Sequence, residues 1–413
     1  MINSFILAFK SLCNWIAKYG SVGFAFSLPL HKLATSYALA IWFLFTIFHF
    51  FIGGYSFNKI KSSFNNSRPI LLLIALYLVL VLGLINSENI DEGMSKIAIS
   101  IPFIIAPVLF LFNKDLIEVR VIVKAFFVGL FLSIILSFIS LIINGYLTLD
   151  SFYADFDLFH HSSYFSMLIN IALVLLLFLH EKIKLSIIMR FIVVVFLSGL
   201  IFLISSKAGV LVLIALFFIK AIQVIKSSSA LYPKLFFLSF LIVVSVLLIQ
   251  NKRVQNMVLN FENIINQDTP IYPTESTAIR WKIWEKSFDL ITESFVLGYG
   301  SGDANDQLMK AYNEEPYLLR HIIKKKYNAH NTFFQLWIMI GLMGPLILLA
   351  LLLSILIRHR YSFFSIGVVL IFVINFSLES MLERHAGVMI FSFFISLIIV
   401  CKDSSFFLNK QLH

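Results

Sequence analysis

Three basic side chains stand where an apolar chain has few structural reasons to keep them. Arg280 opens a stretch of helical periodicity, His330 directly precedes the apolar run that begins at Thr332, and Lys207 sits almost without a loop between two apolar runs. A cation in the first turn of a helix is disfavoured by the helix dipole. An anion docked there would be held by the free N–H groups and the guanidinium together. The chain has nine Arg among its thirty-two basic residues, so Arg at this place points to bidentate phosphate recognition, the plain alternative being a solvent-exposed or Glu-paired Arg. The positive end of the helix beginning near Thr332 opposes protonation of a neighbouring imidazole. A neutral His330 at a membrane boundary is a competent general base for a hydroxyl group; the competing role is a capping or interfacial His. Lys207 is expected to face the bundle interior or an aqueous cavity.

Weaker constellations surround these three. Asp155-Phe156-Asp157, with His160 and His161 close behind, has the carboxylates and imidazoles of a metal site, yet it reads more simply as a solvated loop. Glu379, Glu383, Arg384 and His385 cluster just before the last apolar run, and ionisable groups at that depth are functional candidates by default. His161, Glu379 and Arg384 are therefore secondary site residues. Gly298-Tyr299-Gly300-Ser301-Gly302-Asp303 follows a helix rather than a strand, so it fails the context of a nucleotide loop and is expected to be a flexible turn. The Lys324–Lys326 run reads as a solvated face that could attract anionic lipid headgroups.

The elements that position these groups are hydrophobic. Of 413 residues 60% are hydrophobic and 13% charged, against about 25% charged in a soluble domain. Apolar runs of the ~20 residues a bilayer-crossing helix needs recur along the chain. They predict an all-α polytopic membrane protein with about twelve spans, near 12–30, 33–54, 69–86, 97–112, 121–143, 163–180, 187–204, 208–225, 233–249, 332–357, 361–378 and 385–401. The organisation is a nine-span bundle over 1–249, a long polar loop over 250–331, and a three-span bundle with its tail over 332–413. The forty-five Phe are expected on the lipid-facing surface. The first apolar segment lacks a cleavage pattern and is expected to remain as an anchor. Cys13 and Cys401 suggest neither a disulfide framework nor a thiolate metal site.

A net charge of +10 does not form one nucleic-acid patch and is better explained by the positive-inside rule. With the N-terminus inside, eighteen Lys and Arg fall in inner segments and four in the short outer loops, Lys32, Lys96, Lys207 and Arg384. Both termini are then cytoplasmic and the long loop faces outward, where there is no ATP or nucleotide sugar. A substrate reacting there must arrive activated, most simply on a lipid. Within the loop, Ser276 or Thr277 is expected to cap a helix. Trp281, Trp284, Phe288, Ile291 and Phe295 form its apolar stripe, and Gly298 ends it.

Taken together, Arg280-Trp281 with Trp284, then Leu297-Gly298-Tyr299-Gly300-Ser301-Gly302-Asp303, then His330-Asn331-Thr332-Phe333-Phe334-Gln335 with Gly341-Leu342-Met343-Gly344 resembles the O-antigen ligase and O-antigen polymerase superfamily. The motifs span about residues 276–350, and the layout with one long outer loop before the tenth span covers the chain. Ser206-Lys207-Ala208-Gly209 looks like the family's Ser-Arg-Gly/Ala stretch, with Lys in place of Arg, which keeps the charge but loses the fork.

The resemblance implies a glycosyltransferase-C-like fold in a bacterial cytoplasmic (inner) membrane, with the loop periplasmic. It implies a metal-independent, inverting-type glycosyltransferase with no cofactor. Its donor would be a glycan on undecaprenyl diphosphate, and its acceptor lipid A–core in lipopolysaccharide biosynthesis, or a second lipid-linked glycan if the chain is a repeat-unit polymerase. His330 would be the base; Arg280 and Lys207 would hold the diphosphate. A transporter of polysaccharide or lipid-linked oligosaccharide is a further alternative, though no internal repeat supports it. A purely structural scaffold would leave the three basic residues unexplained.

Overall fold

The computed structural model describes residues 2–53, 55–144, 156, 158–204, 206–227, 276–315 and 320–402. Its regular elements are all helical. In chain order they are α1 (Ile2–Ser27), α2 (Lys32–Phe51), α3 (Phe57–Asn66), α4 (Leu71–Leu82), α5 (Ile90–Ser100), α6 (Pro102–Phe112), α7 (Val119–Ile143), α8 (Ser162–Phe178), α9 (Ile187–Ile204), α10 (Lys207–Ser227), α11 (Ser276–Glu293), α12 (Ala304–Asn313), α13 (Arg320–Lys325), α14 (Thr332–Ile340), α15 (Met343–Arg358), α16 (Phe363–Leu378) and α17 (His385–Val400). Among the described residues six helical stretches are long and apolar enough to cross a membrane, and four shorter apolar helices accompany them. The expected ninth span and residues 250–275 lie outside the described residues.

Two helices form the axis of the bundle. In α17 every residue from Gly387 to Val400 is buried, and in α8 every residue from Phe165 to Phe178. A helix apolar on all sides belongs inside a larger assembly. Around them α6 packs on α17, α10 and α16 pack on α8, and α1 packs on α2 and α7. By contrast α9 exposes Ile187, Ile188 and Phe191, as a helix facing lipid would.

The phenylalanines are not confined to the outside. Phe391 lies 4.9 Å from Phe372 and 5.1 Å from Phe376, Phe393 lies 4.9 Å from Phe24 and 5.4 Å from Phe110, and Phe394 lies 5.2 Å from Phe126. Most of these pairs meet edge to face, worth about 0.5–1.5 kcal/mol each beyond burial. The three phenylalanines of α17 fasten four neighbouring helices to it, α1, α6, α7 and α16, a use that composition alone does not reveal.

The stretch expected to be one continuous span over 332–357 is broken. Gly341 has φ +64° and separates α14 from α15. The carbonyls freed at the end of α14 are not left bare: Ile338 O accepts from Tyr299 N at 2.8 Å and Met339 O from Gly300 N at 2.9 Å. The Gly298–Asp303 segment is thus a docked connection and not a flexible turn. It continues onto the loop between α4 and α5, where Ser301 N donates to Gly83 O and Ser301 Oγ to Leu80 O. Buried Asp303 accepts from Glu88 N at 2.7 Å and Asn89 N at 2.8 Å.

Helix α11 also departs from its expected form. It begins at Ser276 and ends at Glu293. Gly298, at φ +70°, closes the turn that follows rather than capping the helix itself. Its buried face is Ile279, Ile283, Ser287, Leu290 and Ile291, whereas Trp281, Phe288 and Phe295 are exposed. The aromatic stripe is divided because α11 lies against α14 and α12, so tertiary contacts, not the aromatics, choose which face is covered.

Candidate active site

The loop residues His330-Asn331-Thr332 and the turn after α16 are fastened together by short polar side chains. Asn331 is the N-cap of α14, its carboxamide oxygen accepting from Phe333 N and Phe334 N at 2.9 and 3.1 Å. Its own N–H donates to Ser380 Oγ at 3.1 Å, and its Nδ2 donates to Ser377 O at 3.2 Å. Thr332 Oγ1 donates to Glu379 O at 2.7 Å and accepts from Met381 N at 2.9 Å. The turn that carries Glu379 therefore has little freedom to move relative to the start of α14.

Glu379 is the centre of the site. Its Oε1 accepts from Arg280 Nη2 at 2.5 Å, and its Oε2 lies 3.0 Å from His330 Nδ1. Arg280 Nε also donates to Leu378 O at 3.1 Å. The side chains of Glu379, Arg280 and His330 are 15%, 18% and 21% exposed, so water screens the bridge only in part. Burial pushes the Glu379 pKa up, but the His330 hydrogen bond and the charges of Arg280, His330 and His161 outweigh it and bring it down to about 2. An ionised carboxylate only accepts hydrogen bonds. Nδ1 of His330 is therefore the donor, and a neutral ring carries its lone pair on Nε2.

His330 itself sits at φ +43°, uncommon for a residue with a side chain. Asn328 Oδ1 accepts from its N–H at 3.2 Å, Trp284 Nε1 donates to its carbonyl at 3.4 Å, and the Tyr327 ring meets its ring at 5.0 Å. Buried Gln335 accepts from Ala329 N at 2.9 Å and donates to Asn305 Oδ1 at 3.2 Å, tying the same strap to α12.

The basic residues singled out in the sequence reach this place by different routes. Arg280 is the fifth residue of α11, beyond the first turn where it was expected, and its guanidinium is Glu-paired. Lys207 opens α10, whose Ser206 caps it by accepting from Gly209 N at 3.2 Å. Gly209 packs closely on Ser166 of α8 and accepts from Asn170 Nδ2 at 3.0 Å. Ser163, one turn before Ser166, has its hydroxyl 3.5 Å from Glu379 Oε1, so α8 sets Lys207 at the same end of the bundle as Glu379.

Of the secondary candidates, His161 caps α8 by accepting from Ser163 N at 3.4 Å. Arg384 is exposed. Its neighbour Glu383 pairs with Lys96, which also reaches Glu92 at 3.2 Å. Asp155 and Asp157 lie outside the described residues, and His160 is turned inward onto Leu28 O at 3.0 Å.

The sequence ranks Glu379 below the basic residues, marks Gln335 only as part of the His330–Gln335 motif, and does not single out Ser163, Asn328 or Ser380. Asn328 has a local signal in the largely polar stretch Tyr327-Asn328-Ala329-His330-Asn331-Thr332; the partners on α8 and after α16 are distant in the chain.

A helical polytopic membrane protein with a carboxylate-bridged His and Arg at one end of its bundle is the class that fold and site define. Residues 192–349 match the family model described as O-antigen ligase, a match that supports assignment of this chain to the O-antigen ligase superfamily. The matched segment holds Lys207, Arg280, His330 and Gly341 and stops thirty residues short of Glu379. No curated protein matches the chain.

Proposed function

We propose that this chain transfers a glycan from undecaprenyl diphosphate to an acceptor hydroxyl on the outer face of the bacterial cytoplasmic membrane, as an O-antigen ligase whose acceptor is lipid A–core. The observation that carries the reading is the Arg280–Glu379–His330 bridge. It sets an imidazole with a defined free nitrogen beside a guanidinium with donors to spare. Glu379 holds Nδ1–H of His330, so Nε2 takes the proton of the acceptor hydroxyl while the oxygen attacks the anomeric carbon. The bond from that carbon to the diphosphate oxygen breaks, and the electron pair leaves with undecaprenyl diphosphate. A single displacement of this kind inverts the anomeric centre. The proton stays on His330 as an imidazolium that ionised Glu379 stabilises.

Arg280 has five N–H groups. One is used on Leu378 O and one on Glu379, which orients the plane and leaves three for the departing diphosphate. Lys207 adds a second positive charge from α10. Preorganised charge at a developing anion is commonly the largest single contribution to rate.

The test is transfer from a lipid-linked donor in reconstituted membranes. His330→Ala is expected to lower the rate by roughly 10²–10⁴-fold while donor binding survives, and normal transfer by that variant would overturn the assignment of the base. In a deletion strain, lipid-linked polymer accumulating over bare core supports the ligase. One repeat unit on core without a ladder means a polymerase.

A further inference from the structure

The long loop carries cations of two kinds. Lys282 pairs with Glu285 at 2.9 Å, and Lys286 pairs with Glu314 and Glu315 at 3.1 and 3.0 Å. These pairs take up the carboxylates nearest them. Arg320, His321, Lys324, Lys325 and Lys326 are all exposed, and among the described residues none of them pairs with a carboxylate. Arg320, Lys324, Lys325 and Lys326, four permanent cations in seven residues, repel one another.

The segment is nonetheless built in place. Ile322 is fully buried under it, Lys326 N donates to Ile323 O at 3.1 Å, and Tyr327 N to Ile322 O at 3.4 Å. Ile322 anchors α13 so that the basic side chains point outward. It also runs straight into the site: the His321 ring lies 6.1 Å from the Tyr327 ring, which in turn meets the His330 ring at 5.0 Å. An anionic group held by this strap therefore sits two ring contacts from the proposed base. Arg280 meets the other carboxylate oxygen of Glu379, so the strap adjoins the His330 side of the bridge and not the Arg280 side.

We propose that the Arg320–Lys326 strap is the acceptor subsite of the reaction, and that it recognises an acceptor glycolipid bearing phosphate groups near the attacking hydroxyl. The proposal rests on the transferase reading above. A basic rim of this kind acts through charge and is weakened by salt. Neutralising three of its exposed lysines should cost roughly tenfold in acceptor affinity.

The experiment uses the full chain in phosphatidylcholine nanodiscs, with phosphorylated lipid A–core and the same glycolipid after phosphatase treatment as probes. Binding and transfer are measured for the wild type, for the triple variant Lys324→Gln/Lys325→Gln/Lys326→Gln, and for Lys282→Gln as a charge-loss control on the same loop. Thermal melts verify that each variant folds. The expected result is a KM and Kd for the phosphorylated acceptor raised roughly tenfold in the triple variant alone, with kcat and donor KM unchanged. The wild-type preference should fade with salt or on phosphatase treatment.

Equal binding of both probes, no binding of either, or an unchanged KM in the triple variant would overturn the proposal. So would a defect appearing only when phosphatidylglycerol is added, which would assign the strap to bulk lipid headgroups. Failure of the underlying reading is distinguishable, because it shows as normal transfer by His330→Ala whatever the strap does.

Discussion

Replacing Glu379 by Gln preserves the shape of the bridge and removes its charge. The carboxamide can still accept on one side, but it turns an N–H₂ donor toward either Arg280 or His330, both of which need an acceptor there. Transfer should fall roughly a hundredfold or more in Glu379→Gln, with donor KM changed far less than kcat; a variant as active as wild type would remove Glu379 from the mechanism. The charge also has a stability signature. The folded-state pKa of Glu379 lies below its ordinary value of 4.5, at about 2. Its contribution is therefore fully present above the unfolded value and is lost as pH falls toward the folded one. The melting-temperature gap between wild type and Glu379→Gln should be widest near neutrality and narrow as the medium is acidified through that window. A gap that stays constant would point to packing and not to charge.

Among the elements, the break between α14 and α15 is the one on which the site's geometry depends. Gly341 has φ +64°, and a Cβ there would lie 2.0 Å from Val296 O. Gly298 approaches it from the other chain segment, with a Cβ position 2.5 Å from Gly341 N. The two glycines let the docked connection reach the end of α14 and complete its hydrogen bonds. Gly341→Ala should therefore cost about 2 kcal/mol or more, read as a lowered melting temperature in detergent together with loss of transfer. Asp303→Ala tests the far end of the same connection. Two backbone N–H groups, those of Glu88 and Asn89, lose their acceptor at about 1–3 kcal/mol each. An unaffected melting temperature would show that water replaces the carboxylate freely.

At the scale of the whole molecule, the groups that meet at the site all belong to one end of the bundle. The starts of α8, α10 and α14 and the turn after α16 are brought together there. The opposite end is tied differently, with Arg358 donating to Ile399 O at 3.0 Å and to Asn66 O. The proposed function requires the site end to be extracytoplasmic. Cys13 and Cys401 are buried, so a cysteine introduced at exposed Lys325 gives a clean reporter. It is expected to react with a membrane-impermeant maleimide from the periplasmic side of intact spheroplasts, and a cysteine at exposed Lys61 only after lysis. The reverse pattern would invert the topology and return nucleotide-activated donors to consideration.

Chain order and composition determined much of this protein by themselves. Apolar runs of membrane length give helices whatever their partners, because a backbone in hydrocarbon must satisfy its own hydrogen bonds. Eight of the expected spans coincide with observed helices to within a few residues, the exceptions being the early starts of α1 and of the α5–α6 stretch at Ile90, the broken tenth span, and the ninth, which lies outside the described residues. Arg280 and His330 were also legible, since a basic residue beside an apolar run is conspicuous by type alone. What only the tertiary structure decided is the partner between them. Glu379 lies forty-nine residues beyond His330 and ninety-nine beyond Arg280. No local periodicity can register a contact that exists only because α16 returns beside α14 and α11. The same holds for the face α11 buries and for the docking of the glycine-rich connection. Both are set by neighbouring helices whose surfaces the local sequence does not contain.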